Sequence, residues 1–243
     1  MTHLGRLLLW ALLLLASPAV AQTQLPLFGV GGQQAVKLVQ HIGANGTSVT
    51  LNGTTAHNSL IIGISFCYNA SCNTNSGVTI ASVTDTNSNS CAAVAGANTL
   101  SAAVFPAIAY LCPNISTAVN VNDTITVNYT GSPQFPVIFV SEWSGLRGVG
   151  EKGNGTTPGG SPSSVNVSTN GAVTGSNELI WGWAILNGCA IVSSNTGIDG
   201  GTVNVGQKDS YQIGTTPNTY TNTWTCSSGT GNPTAIIAGF PAK

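Results

Sequence analysis

Apolar and polar residues alternate with a period of two along most of this chain. No long stretch keeps the period of about 3.6 that an amphipathic helix requires. Leu60, Ile62, Ile64 and Phe66 alternate with Ile61, Gly63, Ser65 and Cys67. Val137, Phe139, Ser141 and Trp143 oppose Ile138, Val140 and Glu142, and Ile125, Val127 and Tyr129 oppose Thr124, Thr126 and Asn128. Leu179, Trp181, Trp183 and Ile185 form one face of a late strand. Tyr220, Asn222, Trp224 and Cys226 form one face of another, with Thr219, Thr221, Thr223 and Thr225 behind them. Threonine on every second residue suits a strand with one solvated face. Clusters of Gly, Asn, Ser and Pro between these runs read as turns. The pattern predicts an all-β protein.

Two halves resemble one another. Asn58-Ser59-Leu60-Ile61-Ile62-Gly63 is echoed by Asn177-Glu178-Leu179-Ile180-Trp181-Gly182, and each half later runs from a Thr-rich strand into an apolar one. The halves, about 36–146 and 163–243, are joined by a Gly/Pro/Ser/Thr-rich stretch from Gly145 to Gly175. The expected architecture is one antiparallel, two-sheet, jelly-roll-like sandwich over 22–243, each half supplying strands to both sheets.

The first 21 residues read as a signal peptide. A weakly basic start (His3, Arg6) leads into the apolar run Leu7–Ala16, which breaks at Ser17-Pro18, and Ala19-Val20-Ala21 offers a cleavage site before Gln22. That run is shorter than the roughly 20 apolar residues of a membrane span, so no membrane anchor is expected in the mature chain. Export suits the composition. Charged residues make up 5% of the chain and the formal net charge is −1, so there is no clustered basic surface to neutralise nucleic-acid phosphates or anionic lipid. The expected location is extracellular or periplasmic.

Six cysteines in an exported chain favour disulfides over metal binding. No C-x-x-C pair occurs, and His41 and His57 are not at ligand spacing, so no metal or other cofactor is expected. Pairing within each half gives Cys67–Cys72 at a hairpin tip, Cys91–Cys112 between neighbouring strands, and Cys189–Cys226 in the second half.

Three motifs taken together, Asn-x-Leu-Ile-x-Gly at 58–63, Ser82-Val83-Thr84-Asp85-Thr86-x-x-Asn89 and Ser141-Glu142-Trp143-Ser144-Gly145-Leu146, resemble an uncharacterised β-sandwich module of secreted soil-bacterial proteins. The resemblance spans nearly the whole mature chain, from which the extra cysteines depart. It implies the fold and export, and it carries over no catalytic residues.

Candidate chemistry rests on few residues. Glu142 shares a strand face with Ile138 and Val140, where a carboxyl can become an acid catalyst. Glu178, at the start of the echoing strand, is the partner that a glycosidase pair would need. The competing reading has Glu142 accept backbone hydrogen bonds at a strand end. Asp85, Asn87 and Asn89 open like a calcium loop, but Ser90 and Gly96 stand where the EF-hand pattern wants Gly and Glu, and a polar turn explains the same residues. Trp224, with Tyr220 and Asn222, is the candidate aromatic platform for sugar rings, because it shares its face with a polar residue. Trp143, Trp181 and Trp183 could belong to the same platform, and the competing reading is core packing, since Trp181 and Trp183 share a face with Leu179 and Ile185. A Ser-His-Asp set would have to use His41 or His57, which read as exposed, and no G-x-S-x-G elbow occurs. Asn-x-Ser/Thr sequons occur at Asn45, Asn122 and Asn166 among others. The function expected from all this is a non-catalytic surface-structural, adhesive or binding role with polysaccharide or other cell-surface partners. The alternatives are a carbohydrate-binding module built on exposed aromatics, and a glycoside-cleaving enzyme using Glu142 and Glu178.

Overall fold

Leu60 to Phe66 is apolar on both faces of the strand, interrupted only by Gly63 and Ser65, and a strand of that kind must be covered on both sides. In a computed structural model, which describes residues 34–74, 76–99, 105–116, 122–150, 152–156, 164–186, 190–193, 198–199, 207–228 and 233–243, this strand is buried along its whole length. The expected signal segment lies outside the described residues.

The first half contains β1 (Lys37–Asn45), β2 (Ser48–Leu51), β3 (Ser59–Cys67), β4 (Ile80–Asp85), β5 (Ala92–Asn98), β6 (Ile108–Cys112), β7 (Asp123–Tyr129) and β8 (Gln134–Ser144). The second contains β9 (Lys152–Thr156), β10 (Ser164–Ser168), β11 (Glu178–Leu186), β12 (Ala190–Ser193), β13 (Ile198–Asp199), β14 (Gln207–Gly214), β15 (Thr221–Ser228) and β16 (Pro233–Phe240). The described strands pair antiparallel throughout, as the all-β, disulfide-linked reading requires.

The layering differs from a single pair of shared sheets. Each half builds its own sandwich. The first has a five-stranded sheet, β1-β8-β3-β6-β5, and a three-stranded sheet, β2-β7-β4. The second repeats that order strand for strand, as β9-β16-β11-β14-β13 and β10-β15-β12. Leu60, Ile62, Ile64, Val49, Ile125 and Val127 fill the first sandwich, and Ile180, Ala184, Ile237, Val165, Val167 and Trp224 fill the second. A third cluster lies between the two five-stranded sheets, where Ile61, Phe139 and Trp143 meet Leu179, Trp181, Trp183, Ile236 and Phe240. The result is four sheet layers. The central strands of the two inner sheets bury both faces, which explains why β3, β8, β11 and β16 are apolar on both faces over most of their length.

The Gly-rich stretch expected to be only a connection carries β9 and β10, the counterparts of β1 and β2. Lys152-Gly153-Asn154-Gly155-Thr156 has no apolar alternation because it is an edge strand, held to β16 by backbone pairing. The echoed motif is also one residue out of phase with the fold. His57 (φ 70°) and Asn177 (φ 63°) make the same left-handed turn into β3 and β11. Ser59 then pairs with Trp143 as Leu179 pairs with Phe240. A one-residue offset in a strand exchanges its faces, so Leu60 points into its own sandwich while Leu179 points to the central layer.

Glycine makes room for the tryptophans. A Cβ on Gly63 would stand 3.2 Å from the rings of Trp181 and Trp183, so indoles from the second half pack against bare backbone of the first. Gly182 does the same for Trp224, whose ring would lie 2.7 Å from a Cβ there. Disulfides join Cys67 to Cys72 and Cys91 to Cys112. The second of these ties β6 to the residue just before β5, where Ala92 pairs with Leu111. Cys226 is also disulfide-bonded, and Cys189 lies outside the described residues.

Gly182→Ala should therefore cost about 1–3 kcal/mol through overpacking. Gly148→Ala, with nothing within 4 Å of its Cβ, should be neutral. Urea unfolding of the two variants beside the parent checks the difference.

Candidate functional site

Glu142 sits on β8 between Gln40 of β1 and Leu60 of β3, and it is fully buried. Its carboxylate accepts hydrogen bonds from the Thr55 backbone N–H (2.8 Å), Asn58 Nδ2 (2.7 Å) and Gln40 Nε2 (2.5 Å). Gln40 also donates to the Gly53 carbonyl. Glu142 thus pins the 53–58 loop that leads into β3, and a buried carboxylate satisfied in this way is a structural fixture. Glu178 accepts from the Gly175 N–H at 2.7 Å and closes the turn into β11. It lies on the β11 face shared with Ile180, which fills the second sandwich, whereas Glu142 lies on the β8 face shared with Ile138 and Val140 in the first. Both inner sheets separate these two interiors. Among the described residues the two carboxylates share no hydrogen-bond partner.

The aromatic platform expected at Trp224 is overturned. Trp224 has no exposed surface, and Asn222, the polar neighbour that suggested exposure, is buried as well. Asn222 Nδ2 donates to Ser210 Oγ at 3.2 Å, so its polarity is met inside the protein. The Tyr220 hydroxyl donates to the Thr216 carbonyl. The face that these residues share is the inner face of the outer sheet.

Asp85, Asn87 and Asn89 form a turn. Asp85 accepts from the Asn89 backbone N–H at 2.6 Å and from the Asn89 side-chain amide at 2.5 Å, while Ser88 takes a positive φ of 59°. Asn89 Oδ1 in turn accepts from the N–H and hydroxyl of Ser116. Asn87 turns toward Asp123. Among the described residues no group of three or more His, Cys, Asp or Glu could hold a metal ion. The turn nevertheless borders a buried carboxylate that the sequence did not single out. Asp123 is fully buried, and Thr54 and Thr86 donate to it over long distances of 3.4 and 3.3 Å. Burial first, and the charge of Asp85 second, push the Asp123 carboxyl above the ordinary carboxylate range.

His41 is not the exposed residue its neighbours suggested. It is 11% exposed, stacks on Phe139, and its Nε2 lies 2.8 Å from Asp209 Oδ2 on β14. This pair joins the two halves across the central layer. Ser141 is the cross-strand neighbour of His41. Its hydroxyl accepts from Trp143 Nε1 at 2.7 Å and donates to the Ile61 carbonyl at 3.4 Å. The proton a nucleophile would surrender is therefore not directed at the imidazole. His41 and Asp209 tie the two halves together, while Ser141 bonds within the first half. Alternation could have placed Asp209 on the face of Tyr211, but only the fold brings it to a histidine 168 residues away.

Two surface features remain. The outer sheets present ladders of uncharged hydroxyls and amides. On the first, Ser48 and Thr50 of β2 pair with Thr126 and Thr124 of β7, and Thr84 and Ser82 of β4 pair with Thr126 and Asn128. Thr50 and Thr124 hydroxyls meet at 2.8 Å, and Asn128 Nδ2 donates to Ser82 Oγ at 3.0 Å. On the second, Ser164, Asn166 and Ser168 of β10 oppose Thr225, Thr223 and Thr221 of β15. The other feature is Phe135, which is 66% exposed with a positive φ of 49°.

No family model, curated protein or solved structure matches the chain.

Because folding raises the Asp123 pKa, the folded state keeps a proton that the unfolded chain releases as pH climbs above about 4. Stability is lost over that rise. Asp123→Asn should melt above the parent at pH 7, and the gap should close below about pH 4. Thermal melts across that range test it.

Proposed function

We propose that this is an exported, non-catalytic β protein with an adhesive or binding role at a surface, and that its partners are neutral polysaccharides or similar cell-surface polymers. The observation that carries the reading is the pair of uncharged hydroxyl ladders on the two outer sheets. A surface of hydroxyls and amides both donates and accepts, which suits a polyol partner and gives no purchase to an anionic polymer. The acids support the same reading. Asp85, Asp123, Glu142, Glu178 and Asp209 are each tied into turns, loops or the interface between the halves. Disulfides fit an oxidising, extracellular-type compartment. Among the described residues no helix is long and apolar enough to cross a membrane. Export through cleavage after Ala21, and kinship with the secreted soil-bacterial module, belong to the same proposal.

Hydrogen bonding to a neutral polymer is insensitive to ionic strength, whereas phosphate or sulfate recognition is not. The oxidised chain should be retained on cellulose, chitin or xylan beads equally at about 0.1 M and 1 M NaCl, without releasing reducing sugar. Retention only on heparin at low salt would overturn the reading. So would sugar release that Glu142→Gln abolishes.

A further inference from the structure

Among the described residues, Phe135 combines a strand irregularity, a left-handed backbone and an exposed aromatic ring. Strict alternation along β8 would carry it inward with Val137 and Phe139. Instead, Val137 pairs with Ser65 and Gln134 with Cys67, so β8 spends three steps where β3 spends two. The extra residue is a β-bulge, a device that re-aims a side chain. It turns Phe135 outward with φ at 49°, a left-handed conformation that a bulky residue adopts only under strain. The residue gains little burial in return, since it is 66% exposed. Strain held at an exposed aromatic has no account in stability, and it points to use.

The surroundings define what could use it. Phe135, Pro136, Val137 and Asn45 line an open groove of about 240 Å³. The Gly46 N–H fixes one wall by bonding the Pro136 carbonyl at 2.8 Å, and the Cys67–Cys72 disulfide anchors the strand opposite the bulge. None of the lining residues is charged. An aromatic face beside a carboxamide matches the two sides of a sugar ring, which stacks its C–H face and offers hydroxyls at its edge. The groove is smaller than the 300 Å³ or so at which drug-sized sites begin, so it holds about one ring. A lipid surface would ask for a wider apolar patch rimmed by cations, and Phe135 is flanked by Gln134 and Pro136 with Asn45 across the groove.

We infer that Phe135 and Asn45 form a subsite for one unit of a neutral pyranose glycan. The site rests on the polysaccharide-binding reading and gives it a specific anchor, in place of Trp224.

The test is isothermal titration of the oxidised chain with cellohexaose, xylohexaose and chitohexaose, beside bead retention. At least one oligosaccharide should bind, with affinity falling tenfold or more in Phe135→Ala and staying within threefold in Phe135→Trp. Phe135→Asn, which tolerates the left-handed backbone, should melt no lower than the parent and still lose binding, separating recognition from folding. Retention on beads that is unchanged in Phe135→Ala would overturn the subsite and leave the wider reading standing. No retention and no titration signal would overturn both. Binding to neutral phosphatidylcholine vesicles that depends on Phe135, with no oligosaccharide binding, would assign the residue to membranes instead. A sugar found covalently attached at Asn45 in protein from its own host would fill the groove and likewise overturn the proposal.

Discussion

The structure depends on burying both faces of two five-stranded sheets. An antiparallel sheet can leave one face in water, but β3, β8, β11 and β16 have no polar face to offer. Each inner sheet therefore takes an outer sheet on one side and the other inner sheet on the opposite side. The central layer is a contact that neither half can make alone. It is built from large rings seated on small backbone. Phe139 meets Trp183 edge-on at 4.4 Å between centroids, Trp143 meets Tyr211 at 4.6 Å, and Gly63 leaves the space that Trp181 and Trp183 occupy. Dispersion between such surfaces is strong only at close contact, which is why glycine is needed there.

Polar groups follow the same logic. With few charges in the chain, three of the buried acids hold particular parts of the structure. Glu142 gathers a loop, Glu178 closes the equivalent turn in the other half, and Asp209 meets His41 across the central layer. Surface chemistry is left to hydroxyls and amides. The strained bulge at Phe135 is a place where the repeated sandwich departs from economy of packing.

Much of the fold was legible because alternation is a local property. The strands around Leu60, Ile125, Phe139, Trp181 and Trp224 can be read directly from it, as can the inward direction of Trp181 and Trp183 and the hairpin that joins Cys91 to Cys112. The candidate site was far less legible. Asn222 made the Trp224 face look wet, because a sequence does not show that Ser210 waits inside to satisfy an amide. Phe135 looked like an ordinary strand residue, because a bulge is defined by the partner strand. Lys152–Thr156 looked like a linker, because an edge strand needs only backbone bonds.

The sequence by itself determined that the described residues fold as β-strands and turns, that the two halves are related, that cysteines such as Cys91 and Cys112 serve as bridges, and that few charges are available to the surface. These properties follow from composition and from neighbours a few residues apart. The tertiary structure alone decided how many layers there are, which faces are wet, and which acids meet which bases. Alternation tells how many faces a strand has, but not what covers them. The cover comes from residues a hundred or more positions away, and only packing chooses among them.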